Sequence, residues 1–191
     1  MSYLLISAVG LLLTVFALSA WSKIHSNSAQ REFAASLDDL GLVPARVVPA
    51  VAGTVSAAET LLAVGLTWSL CAHVVGQAGA RVLAAAVLVA ASVLLSLLTV
   101  GIAISLRRGA GGRCACFGAT ARPLSRRHMV RNLLLLAVSA TGIIAASISR
   151  DGARPAIGGA VIALAAGAFG GLLLVSLDDL VDLFAPARSS T

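Results

Sequence analysis

The feature that most constrains this chain is a set of long stretches without a charged residue. The first, Tyr3–Ser22, runs 20 residues without Asp, Glu, Lys or Arg. At 1.5 Å per residue a helix of that length reaches about 30 Å, the thickness of a bilayer's hydrocarbon core. Another, Val82–Leu106, is 25 residues long and can span with some tilt. Overall 59% of residues are hydrophobic and 12% charged, about half the usual charge of a soluble domain, and mean hydropathy is +0.98. The solvent of such a chain is lipid. A nucleic-acid binder can carry the same net +6, but it would not leave whole spans uncharged, so the basic balance reads as membrane orientation and headgroup contact, with no nucleic acid as partner.

Five spans follow from the blocks: Tyr3–Ser22, a second from about Val47 or Val51 to Cys71, Val82–Leu106, Asn132–Ser149 and Ala156–Leu177. No Lys or Arg precedes the first run, which exceeds the usual signal-peptide core, so it is expected to be retained. Between the first two spans, Phe33, Leu37 and Leu40 recur at helical spacing with Gly41 ready to end the turn, predicting a short interfacial helix. The expected fold is an all-α integral membrane protein: a four-helix transmembrane core over residues 1–150, then a fifth span and a short acidic tail, with Asp178, Asp179 and Asp182, over 151–191. Within the fifth span Gly159, Ala163, Gly167 and Gly171 recur every four residues, a small-residue ladder suited to close helix packing, within the chain or with a partner helix.

Charge orients the spans. Eleven of the fourteen cations fall on the side holding the connections after spans one and three and the C-terminal tail; only Arg81, Arg150 and Arg154 fall on the other. The positive-inside rule therefore puts the large basic loop of a multi-pass cell-membrane protein in the cytoplasm.

That loop carries the chain's most chemical feature, Arg113-Cys114-Ala115-Cys116-Phe117-Gly118. Two cysteines one residue apart can reach each other, and the small ring they would close is strained, which makes a disulfide easier to reduce and suits a bond that cycles. Neighbouring arginines favour the thiolate. The plainer alternative is two ordinary small loop residues. Cys71, at the far end of span two, reads as an inert buried or interfacial thiol. Glu59 lies deep in span two and needs a partner; Lys23 and Arg131 reach the same membrane side. Such a pair can fix helix register, handle a proton or contact a quinone. His25 and His128 share the side of Cys114 and Cys116, which opens a second chemistry, a zinc or copper site, whereas His73 reads as an interfacial polar residue.

The run Cys114-Ala-Cys116-Phe117-Gly118, then Pro123-Leu124-Ser125 and Arg131-Asn132 opening a span, resembles the methylamine-utilisation MauE family, related to the DoxX-like membrane proteins. Lys23, Leu40-Gly41-Leu42-Val43-Pro44 and Glu59 agree with it, over roughly residues 5 to 150. The resemblance implies a redox-associated membrane protein that supports maturation of a disulfide-containing client, as for the small subunit of methylamine dehydrogenase. It makes Cys114 and Cys116 the redox pair, Glu59 and Lys23 a buried polar pair, and Arg131 with Asn132 a loop anchor. A thiol-disulfide oxidoreductase or its accessory factor, with a quinone or a protein thiol such as a thioredoxin-like protein as electron partner, is the expected class. A direct oxidant of exported proteins needs its cysteines outside, against the charge bias. A protein that relays electrons, a loop that folds back into the bundle, or a charge rule that fails here would each reconcile the two. The rivals are metal holding through Cys114, Cys116, His25 and His128, and a non-catalytic assembly scaffold. No phosphate-binding loop is present: Gly109–Gly112 lacks its lysine.

Overall fold

Among the described residues there are six α-helices, and five helices are long and apolar enough to cross a membrane. The computed structural model describes residues 1–108, 113–114, 122–123, 126–149 and 154–177. Helix α1 covers Ser2–Ile24, α2 Asn27–Asp39, α3 Val48–Val74, α4 Ala80–Arg107, α5 Arg126–Ile148 and α6 Ile157–Val175. A two-residue antiparallel ladder joins β1 (Arg113–Cys114) to β2 (Arg122–Pro123). The chain is thus a multi-pass helical membrane protein, as the uncharged blocks predict. Residues 178–191, including the acidic stretch, lie outside the described residues.

Local chemistry sets the helix ends. Ser26 caps α2 by accepting the Ala29 N–H at 3.2 Å, which turns the chain sharply after α1. Gly41, at φ +60°, stops α2 in the left-handed conformation that glycine adopts without cost. Proline in the first turn of α3 needs no N–H partner there. The sequence places the fourth span from Asn132, but α5 starts at Arg126. Charge marks where lipid begins, not where a helix does, and the extra turn carries its arginines at the basic end.

Helix α1 is the mast of the bundle: 56% of its apolar window is buried, against 17% for α6. It packs against α2, α3, α5 and α6, with α4 completing the core through α3 and α5. Leu5, Leu12, Phe16, Leu66, Leu88 and Leu95 meet at its centre. Outward, Leu61, Val64, Val93, Ile144, Ile162 and Phe169 form an exposed apolar belt that only lipid can cover. Trp21 and Trp68 are exposed near opposite ends, where indole rings anchor a protein at the two interfaces.

The small-residue ladder turns inward. A Cβ at Gly167 would collide with the carbonyl oxygen of Ser7, one at Gly171 would come within 2.8 Å of the Leu11 carbonyl oxygen, and one at Gly159 would meet the Tyr3 ring. Gly159, Gly167 and Gly171, with Ala163 half-buried among them, therefore pack on α1 of the same chain. The helix that approaches the stripe is one of this chain. Small residues allow this approach because no side chain keeps the backbones apart.

Between α4 and α5, Ser139 Oγ donates to the Leu88 carbonyl at 2.9 Å and lies 2.8 Å from Ser92 Oγ. Interhelical hydrogen bonds in lipid are individually modest. Ser139→Ala is expected to lower stability by about 0.6 kcal/mol, a small drop in melting temperature of the detergent-solubilised protein.

Candidate functional site

Among the described residues, a group of buried polar and charged side chains, Ser19, Lys23, Glu59, Ser105, His128, Arg131 and Asn132, lies toward the end where α1 and α4 finish and α3 and α5 begin. Lys23 lies in the last turn of α1, where a cation also complements the helix dipole. Its Nζ donates to Glu59 Oε2 at 2.6 Å, to Ser19 Oγ at 2.6 Å and to the Ser19 carbonyl at 3.3 Å. An ammonium has three N–H bonds, so its donors are all used. Both side chains of the pair are only 2% exposed. The cost of taking two charges out of water is offset by short contact and complete hydrogen bonding. Of the two cations offered to Glu59 by the sequence, Lys23 is the one that takes it.

Helix α2 lies over this pair. Phe33, itself buried, puts its ring 4.8 Å from Lys23 Nζ, within cation–π range. Gln30 accepts a hydrogen bond from Ser56 of α3 at 3.1 Å, fastening α2 a turn away. Ser19 was legible in principle, since it stands four residues before Lys23 on one helix face. Phe33 and Gln30 were not, because their contacts depend on how α2 folds back.

On α5, His128, Arg131 and Asn132 are buried. Gly142 of α5 packs against Ala8 of α1, and the helices run antiparallel. Eleven residues along each brings Arg131 level with Ser19. His128, Arg131 and Asn132 thus lie at the same end of the bundle as Lys23 and Ser19. Ser105 Oγ and Asn132 Oδ1, buried in this region, have no hydrogen-bond partner among the described residues.

Cys114 belongs to the same end. Cys114 is in β1, with its Cα paired to Arg122, and β1 lies alongside α2. Cys116 lies outside the described residues. Cys71 is exposed near the opposite end of α3 and has no disulfide partner. His25 is exposed, stacks on Trp21 and holds Nδ1 2.9 Å from the Trp21 carbonyl oxygen. His73 is buried at the end of α3, since the helix face, which span boundaries do not reveal, decides its exposure. Among the described residues no group of three or more His, Cys, Asp or Glu is placed to hold a metal.

One comparison identifies relatives. The family model described as methylamine utilisation protein MauE matches residues 1–145, ending in the last turn of α5 and leaving α6 outside. No curated protein and no solved structure matches the chain.

Proposed function

The chain belongs to the MauE family, whose model covers three-quarters of it, and from that premise we propose that it is a membrane redox protein whose Cys114 and Cys116 alternate between disulfide and dithiol to support disulfide formation in a client. The observation that carries this reading is the meeting of two features at α2: the strand bearing Cys114 runs beside the helix that covers the buried Lys23–Glu59 pair. In one cycle a client thiolate attacks the Cys114–Cys116 disulfide, giving a mixed disulfide and one free cysteine. The client's second thiolate then attacks the client sulfur of that mixed disulfide, closing the client's disulfide and releasing the other cysteine of the pair. Two electrons pass from the client to the pair, which is left as a dithiol, and an acceptor must remove them with two protons. Lys23, Glu59 and Ser19 act here as structure, holding α1, α2 and α3 beneath the loop. Arg131 and Asn132 anchor its far end. Residues 1–150 form the functional core, and α6 is an addition packed on α1. The charge bias reads the loop as cytoplasmic, so the dithiol client that the pair oxidises is a partner on that side, whose electrons the pair relays.

Trapping tests the reading. In cells, Cys116→Ser or Cys114→Ser is expected to accumulate a mixed disulfide that disappears on reduction, while the double variant accumulates none. The wild-type pair should shift between alkylatable and protected forms with the redox state of the medium. A pair that stays in one oxidation state, with neither variant capturing a client, would end the proposal.

A further inference from the structure

Helices α3 and α4 leave a cleft of about 320 Å³ between them, with Thr54 and Leu97, both exposed, at a mouth that opens sideways to lipid. It runs from Ala58 and Leu94 to Val51 and Ile102, which is about 10–12 Å at the helical rise. Leu42, in the linker after α2, leans on Gly101 and closes the inner side. The lining side chains are carbon except for the Thr54 hydroxyl, which donates to the Ala50 carbonyl at 2.8 Å. Such walls accept hydrocarbon, because a polar group would be buried against them without a partner. Val51 is in the first turn of α3 and Ile102 is near the end of α4, so the cleft lies in the half of the membrane on the basic side.

Charge stands directly above this cleft. From the mouth an exposed path passes over Val47 to Arg46 on the α3 side, and over Ile104 to Arg107 and Arg108 on the α4 side. Arg46 and Arg107 lie beyond Val51 and Ile102 by about 7–9 Å along their helices. The headgroup zone of a bilayer adds about 5–7 Å to each side of the hydrocarbon core, so cations at that height meet lipid phosphates. All three arginines are exposed, and none forms an ion pair or a side-chain hydrogen bond among the described residues. The exposed carboxylates of α2, Glu32, Asp38 and Asp39, point elsewhere: each stands about 110–130° around that helix from the middle of the face that Leu37 and Leu40 turn to the cleft.

We propose that the cleft is a binding site for an anionic phospholipid of the leaflet on this side, with one acyl chain along the α3–α4 groove and the phosphate among Arg46, Arg107 and Arg108. The acyl chain puts only methylene groups against the carbon lining. The ester oxygens stay above it, at the interface, where water reaches them. Three guanidinium groups without a carboxylate turned to the mouth select a net negative headgroup over a zwitterionic one, by about fivefold for each cation. A transmembrane helix of a partner does not fit: it is about 10 Å across and would follow α3 and α4 for their whole length, whereas the cleft is short. The site is independent of the cysteine cycle.

The test reconstitutes the full chain in phosphatidylcholine vesicles with a trace of phosphatidylglycerol whose acyl chain carries a photoreactive group. Label is expected within residues 51–58 and 94–102, at least about tenfold more than from a phosphatidylcholine probe with the same chain. At about 1 M salt, where the Debye length falls to about 3 Å, most of that preference should vanish. Combining Arg46→Gln, Arg107→Gln and Arg108→Gln should abolish the preference and leave labelling by the choline probe unchanged; these side chains are exposed, so no buried contact is lost. Ala58→Phe, which fills the cleft, should lower labelling by both probes about tenfold. Ala137→Phe, in a separate groove between α1, α5 and α6, should leave both unchanged. Equal labelling by the two probes, or a preference that survives loss of the arginines, would overturn the anionic-lipid site. So would label spread evenly over all lipid-facing helices. Protection of residues 51–58 and 94–102 from both probes in a chain that migrates as a dimer would overturn it too and assign the cleft to a second copy.

Discussion

Glu59→Leu, with Lys23 left in place, is expected to destabilise the bundle by about 3–5 kcal/mol, because it strands an ammonium in a site that is almost wholly shielded from water. Lys23→Met should cost about as much by stranding the carboxylate. The informative variant is the double one. Two apolar side chains of similar volume remove the desolvation penalty along with the attraction, so Lys23→Met/Glu59→Leu should recover most of the loss. Thermal unfolding in one detergent, for the two singles and the double, measures this cycle. Singles within about 1 kcal/mol of wild type would mean that water or lipid headgroups reach the pair, as at a surface salt bridge. Phe33→Leu should add a smaller loss of about 0.5–2 kcal/mol, since it keeps the apolar cover and removes the ring face from the ammonium.

Gly167→Val is expected to detach α6. A Cβ at that position meets the Ser7 carbonyl oxygen, with Ser7 C and Leu11 N at 3.0 and 3.1 Å. Those are backbone atoms of another helix and cannot rotate aside. Overpacking of this kind costs about 1–3 kcal/mol even where side chains can yield, and each 1.4 kcal/mol is about a tenfold change in association. A protease recognition site inserted beside the exposed Arg154, before α6, provides the measurement. The nicked wild-type protein should keep α6 through native purification in detergent; nicked Gly167→Val should lose it. Gly158→Ala, where nothing lies within 4 Å of the added methyl, should behave as wild type.

These two sites show what the sequence made legible. Five spans stand out in the chain because lipid tolerates so little charge that each crossing leaves an uninterrupted block. Glu59 drew attention for the same reason, and the requirement for a nearby cation reduced its partners to Lys23 and Arg131. Choosing between them needed the crossing of α1 and α3, which no local pattern encodes. The ladder from Gly159 to Gly171 announced close packing, yet a stripe of small residues does not say whose backbone approaches it. His73 was harder, since span limits give depth along the membrane normal but not the face that a side chain takes. Phe33 was read as one apolar position of an amphipathic turn. Its contact with Lys23 arises from the reversal at Ser26, a tertiary consequence of one capped helix start. The cysteine pair was the reverse case: spacing and neighbours alone mark it, while the fold contributes the company that β1 keeps.

The position of α1 also has a consequence for biogenesis. Helix α1 leaves the ribosome before the other five described helices and packs on four of them, and α6, which covers its glycine-bearing side, is made after all of these. At roughly 5–20 residues per second, the interval between Gly10 and Gly167 amounts to about 8–30 seconds of translation. Throughout that time the side of α1 carrying Ser7, Gly10 and Thr14 must be sheltered by lipid, the insertion machinery or a transient escort. The docking of α6 is therefore a late, membrane-borne event relative to α1, and nascent chains halted before Ile157 would be the ones handed to quality control.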